Sequence, residues 1–258
     1  MRTAAAIAAV VVTLIASHAA HAKCAAYAET LLTSEVVAGS ATLVFEIYTI
    51  DPDEVPSALD KVAAQLDLYT LQGKKVPLEV RAAHHGMRQV QLELVPRAPL
   101  APGEYRLVRA TRPANAQRQS HPLKVIAPAP LTVAAPTITA AASSHEEYGC
   151  GPGDTIDLTL APAGPWFAAA TYEHPRYAFV TVTDDHGPTS GYTRVVPSDD
   201  GQTLALSVGH GMCSGEFTLV AGTSYRITVQ LIGPDGARGP ATTRAIVYAP
   251  ALSAPAPR

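Results

Sequence analysis

The chain has 258 residues, 16% of them charged, and a formal net charge of -3. That balance leaves no basic field to attract nucleic acid or an anionic membrane surface. Pro (22) and Gly (18) are plentiful while aromatics make up 6%, which favours short strands joined by tight turns over helices.

In chain order, Met1-Arg2-Thr3 gives a short positive start and Ala4 to Ile15 an apolar run. Ala20-His21-Ala22 then sets small residues at the two positions a signal peptidase reads. These features predict a cleavable signal peptide over residues 1–22. The run is shorter than the ~20 residues a transmembrane helix needs. Lipidation at Cys24 would need a small residue before it, and Lys23 stands there. The expectation is a mature chain from Lys23, without an integral membrane segment, in the periplasm or outside the cell.

Residues 23–126 read as strands. Thr42 to Tyr48 alternates with Leu43, Phe45 and Ile47 on one face, and Gln89 to Leu94 with Val90, Leu92 and Leu94 inward. Such alternation predicts a sheet with one face on a core and the other in water. Leu66–Tyr69, Tyr105–Val108 and Leu123–Ile126 add further strands, and Pro56–Gln65 reads as a loop or single turn. Ala127 to Pro136 is proline-dense and predicts an interdomain connector. From 137 to 249 the theme repeats in Thr155–Leu160, Ala178–Val182, Leu204–Val208, Tyr225–Leu231 and Thr243–Tyr248. Turn signals fall at Gly151–Asp154, Asp185–Gly187, Ser198–Gly201 and Pro234–Gly236. Residues 250–258 read as a frayed tail.

The cysteines suit an oxidising compartment. Cys150–Cys213 is the simplest pairing and would contribute about 4 kcal/mol on the chain-entropy model. Cys24–Cys150 and Cys24–Cys213 stay open, because connectivity is not readable from sequence.

Leu100-Ala-Pro-Gly-Glu-Tyr-Arg-Leu107 resembles the L-x-P-G-x-Y-x-[LV] signature of bacterial immunoglobulin-like modules. There Pro102-Gly103 makes a turn and Tyr105 packs at the corner where a strand begins. Leu219 to Tyr225 is similar to the same corner of an immunoglobulin-like or fibronectin-III-like module. The resemblance implies an all-β protein of two tandem immunoglobulin-like β-sandwich domains, and it is nearly silent on function.

Four chemical readings compete. Gly211-Met212-Cys213-Ser214-Gly215 matches the outline of a hydrolase nucleophile elbow, which needs a strand before it and a helix after it. His84, Met87, His210 and Met212 offer imidazole and thioether, a donor set suited to copper. The first domain is also distantly similar to CopC-type periplasmic copper binders, although those use a histidine at the mature N-terminus. Adjacent His84 and His85 would face opposite ways on a strand, and loop imidazoles at the surface explain them more simply. The acidic groups at Asp51–Glu54, Asp184-Asp185 and Asp199-Asp200 read as solvated turns. Lastly Trp166, Phe167, Tyr172 and Tyr177 would suit a recognition surface on a loop, with Trp166 leaning towards the core. Together these point to an exported, non-catalytic protein without a cofactor, contacting an envelope protein or glycan. A copper-type binder and a passive spacer are the alternatives.

Overall fold

A computed structural model describes residues 27–39, 41–49, 65–109, 120–128, 133–148, 151–161, 164–171, 175–198, 202–211, 213 and 215–250. The expected signal segment 1–22, Cys24, Asp51–Glu54, Pro56–Ala64, Cys150, Tyr172, Asp199-Asp200, Met212 and residues 251–258 therefore lie outside the described residues.

The N-terminal half is built from β1 (Tyr27–Leu31), β2 (Glu35–Val37), β3 (Leu43–Thr49), β4 (Leu66–Thr70), β5 (Lys75–Val76), β6 (Leu78–Gly86), β7 (Gln89–Pro96), β8 (Gly103–Arg109) and β9 (Ser120–Ile126). One sheet runs β1-β3-β7-β6 and the other β2-β9-β8-β4-β5. Pairing is antiparallel except for β2, which lies parallel to β9. The apolar faces anticipated from the alternation meet between the sheets. Leu43, Phe45, Ile47, Val90, Leu92 and Leu94 share a core with Leu68, Leu107 and Leu123.

The C-terminal half has β10 (Thr137–Tyr148), β11 (Gly151–Ala161), a one-turn helix α1 (Pro165–Ala168), β12 (Arg176–Asp184), β13 (Gly187–Pro197), β14 (Leu204–His210), β15 (Ser224–Ile232) and β16 (Arg238–Val247). All seven strands form one antiparallel sheet in the order β10-β11-β14-β13-β12-β15-β16. The sheet folds over on itself. β13 pairs with β12 along most of its length and with β14 only at Val195–Pro197. The two edges come back together, with the Thr242 hydroxyl donating to the Pro136 carbonyl at 2.6 Å and Arg244 to that of Ile138 at 3.4 Å. Ile156, Leu158, Val180, Ile227, Val229 and Leu231 fill the space enclosed. Gly151–Asp154, expected to turn, instead opens β11.

Both halves carry the tyrosine corner that the motifs anticipated. Tyr105 is buried and its hydroxyl donates to the Ala101 carbonyl at 3.0 Å. The hydroxyl of Tyr225 accepts from the Val220 amide at 2.8 Å. Each bond pins the loop before a strand to that strand's first turn inward. Tyr105→Phe and Tyr225→Phe are each expected to cost about 1 kcal/mol. A shifted urea midpoint with an unchanged m-value checks this.

Of the expected connector, residues 127–128 and 133–136 are described. Val133 packs against the C-terminal core, and its side chain sits on Gly233 and Gly239, where a Cβ would meet it at 3.3 and 2.8 Å.

Candidate functional site

The alternation of β7 predicts Gln89, Gln91 and Glu93 in water, and here the structure differs. All three are buried, at 3%, 1% and 1% exposure. The reason is tertiary: the outer face of the β3–β7–β6 sheet is covered by β12 and β13 of the other half. Val44 and Leu32 meet Phe179, Tyr192 and Ile232 in a small apolar cluster across the junction. Main-chain bonds also cross it, from the Val37 amide to the Pro234 carbonyl (2.6 Å), Thr42 to Asp235 (3.2 Å) and Met87 to Gly215 (2.8 Å).

Glu93 is the electrostatic centre of this junction. Its Oε2 accepts from Arg81 Nε and Nη2 at 3.0 and 2.8 Å. Its Oε1 lies 2.9 Å from His84 Nε2 and accepts from the Tyr192 hydroxyl at 2.8 Å. Arg238, from the start of β16, also donates to Oε1. The Arg238 guanidinium rests 3.3 Å from the Phe179 ring centroid, while His84 meets Phe179 and Tyr192 edge-on. Burial by itself would raise the Glu93 pKa. Hydrogen bonds from His84, Arg81 and Tyr192 and the charge of Arg238 outweigh it and hold the carboxyl well below the usual carboxylate range. Burial, followed by the Glu93 charge, pushes the Tyr192 hydroxyl up, so it stays a donor. A buried carboxylate with this many donors is an ion kept ionised in the interior, which a protein tolerates only when its partners are fixed.

Beside this cluster a cleft of about 480 Å³ opens between the halves, lined among others by Glu46, Gln89, Tyr177, Arg194, Ser207, His210 and Glu216. Burial, then the charge of Glu46, pushes Glu216 up to about 7. Burial likewise raises Glu46 and carries Tyr177 up to about 12.

Of the four copper-type candidates Met212 lies outside the described residues, and His84, Met87 and His210 turn to different partners. His84 lies in β6, not in a surface loop, and its ring is bound to Glu93. The loop expectation fails because Ala82-Ala-His-His85 shows no apolar alternation although it pairs with β7, after a bulge at Arg81. His210 is 8% exposed and faces a different carboxylate, Asp154, at 3.4 Å. Asp154 also receives His145 Nδ1 (2.8 Å) and the Tyr248 hydroxyl (2.5 Å). Burial would raise the Asp154 pKa, but bonds from Tyr248 and His145 and the charges of His145 and His210 lower it. Met87 takes part through its backbone, opposite Gly215. Among the described residues no group of three His, Cys, Asp or Glu side chains is placed to hold a metal ion.

The aromatic candidates divide. Phe167 is wholly buried in the C-terminal core, which corrects its assignment to a recognition surface: the turn of α1 drives it inward. Trp166 is half-buried, donates to the Ile232 carbonyl at 3.2 Å and carries the Arg176 guanidinium 3.7 Å from its ring. Tyr177 is half-buried and lines the cleft. Cys213 is disulfide-bonded, with its partner outside the described residues. β14 precedes it, but residues 215–223 lead as turns into β15 with no helix, so the elbow geometry is not met. Asp184 accepts from the His186 amide at 2.8 Å, the self-bonding of an acidic turn.

Sequence reasoning missed Glu93, Arg81, Tyr192, Arg238, Gln91, Glu46 and Glu216. The one available signal was the Gln-x-Gln-x-Glu face of β7.

No profile of a known protein family matches the chain, and no curated protein does. Solved structures give distant likenesses. The pullulanase from Anoxybacillus sp. LM18-11 matches with a TM-score of 0.27 at 8% identity, over 82% of this chain and 24% of its own. The same enzyme complexed with maltotriose gives 0.28 at 7% identity, over 82% and 24%. The titin domains z1z2 in complex with telethonin give 0.23 at 14% identity, over 86% and 95%. The chain thus spans about a quarter of the pullulanase. Likenesses at these scores carry no weight on function. Among the described residues no helix is long and apolar enough to cross a membrane.

Proposed function

We propose that this is an exported, non-catalytic protein of two immunoglobulin-like domains, near residues 23–126 and 137–249, that binds an envelope protein or glycan in the cleft at their junction. The observation that carries the reading is a cleft walled by both halves, mixed in lining with Leu32, Val196 and Tyr177 beside Glu46, Arg194 and Ser207, the kind of place where ligands lodge. The strand order supports the fold. Lettered in chain order, with β2 as a second part of the first strand, the N-terminal half is A-B-E-D over G-F-C, with β5 as an added edge strand. The C-terminal half runs A-B-E-D-C-F-G. Both orders match the immunoglobulin constant-type arrangement of ABED against CFG. The composition of residues 1–22 supports export, and a Cys150–Cys213 bond would agree with it.

Retention of the chain from Lys23 on isolated envelopes tests the binding. The expected result is saturable retention, weakened about tenfold by Tyr177→Ala together with Thr193→Arg, which reshapes the wall that β12 and β13 give the cleft. Digesting the envelopes with protease or with glycosidase beforehand separates the two ligand classes. Retention indifferent to the cleft substitutions, or none at all, contradicts the reading. Intact mass of the protein from its host tests export, with a chain starting at Lys23 expected.

A further inference from the structure

The Gln91 side chain faces more acceptors than it has hydrogens. Its Oε1 accepts from the Tyr192 amide at 2.6 Å, which fixes the orientation of the carboxamide and turns Nε2 the other way. Nε2 has two hydrogens. It stands 2.8 Å from Glu46 Oε2, 2.8 Å from the Tyr192 carbonyl and 3.3 Å from Glu216 Oε1. Gln89 Nε2 is 3.2 Å from the same Glu216 oxygen. Glu46 comes from β3 of the N-terminal half and Glu216 from the C-terminal half, so two carboxyls meet across the junction around one neutral amide nitrogen, with Gln89 serving Glu216 as well. Gly191 is what lets Glu216 lie so close, since a Cβ there would be 3.0 Å from Glu216 Cβ and Cγ.

The surroundings offset the charge of the pair only in part. From β13, Arg194 acts on Glu46 by its charge, yet it is shared with Tyr177 of β12. Further along β7, Glu93 holds Arg81 and Arg238 for itself. From β14, His210 lines the same cleft but faces Asp154. A proton on one carboxyl would remove the repulsion between them.

We infer that the junction holds one proton between Glu46 and Glu216, so that the two halves grip each other more tightly in acid than in mildly alkaline solution. Loss of that proton loosens the wall of the cleft. The upward shifts of both carboxyls agree in direction. The sign follows: an acid that ionises later in the folded protein than in the unfolded chain costs stability as pH rises between the two values and no more above the higher one.

Hydrogen exchange at the Tyr192 and Met87 amides, corrected for intrinsic rate, reads the junction directly. Both donate to acceptors of the opposite half, Tyr192 to Gln91 Oε1 and Met87 to the Gly215 carbonyl. Protection is expected to fall about a hundredfold between about pH 5 and about pH 8.5 in the wild-type chain. Glu216→Gln, which carries its own hydrogens, should hold nearly equal protection at both pH values and exceed wild type at the higher. Glu46→Gln gives the same reading should Glu216→Gln fail to fold. Wild-type protection indifferent to pH overturns the inference. So does an equal fall in both variants, or junction protection lost at both pH values in a variant whose core amides stay protected.

Discussion

Glu93→Ala is expected to destabilise the protein by about 3–5 kcal/mol, the cost of breaking a buried ion cluster by removing one partner. The substitution strands Arg81, His84, Tyr192 and Arg238, which all converge on that carboxylate. Arg81 is partly exposed and can turn to water, but Arg238 lies on Phe179 and Tyr192 is 1% exposed. Each core is separate from the junction cluster, so both halves should stay folded. Denaturant unfolding followed at two probes, one in each half, should therefore pass from one shared transition to two. Loss of stability with the transitions still coincident would mean that Glu93 is a local buttress and not the coupling group. Its pH signature is opposite to that of Glu216. A carboxyl lowered from 4.5 contributes stability above that value and loses it as pH falls further. Glu216, raised to about 7, costs stability as pH rises from 4.5 to about 7. Together they place the stability maximum on the acid side of neutrality.

Gly86→Ala should have the next largest effect, about 3 kcal/mol. An added Cβ would lie 2.4 Å from the Gly215 carbonyl oxygen and 2.9 Å from Glu216 Cα, both backbone of the opposite half. Neither can rotate away, so the halves must separate locally and give up the Met87 amide bond to Gly215. Gly191→Ala is the comparison. There the nearest atoms at 3.0 Å belong to the Glu216 side chain, which can move, and the cost should be about 1 kcal/mol. Thermal denaturation of both variants beside wild type ranks them. Equal costs would mean that the approach of β6 to residues 215–216 is looser than described.

Much of the fold was legible because its signals are local. Strands β3, β7, β11, β14 and β15 alternate over most of their lengths, and the Pro102-Gly103 and Gly222 turns announce the tyrosine corners. β6, β10 and β13 were not legible. Ala82-Ala83-His84 and Ala140-Ala141-Ala142 have no apolar period, and β13 changes neighbours partway along, so no single face governs its pattern. The site was less legible still. Glu93 meets Tyr192 and Arg238 across 99 and 145 residues of sequence, and a polar face covered by a second sheet looks in sequence like a polar face in water. Phe167 shows the converse: its aromatic neighbours suggest a surface, yet one turn of helix points it into the core.

Residual dipolar couplings of backbone amides in both halves of the chain from Lys23 test the junction most directly. One alignment tensor should fit the strands β3 and β7 together with β12 and β15, and Glu93→Ala should need two. Two distinct tensors in the wild-type chain would contradict a junction held rigid by Glu93.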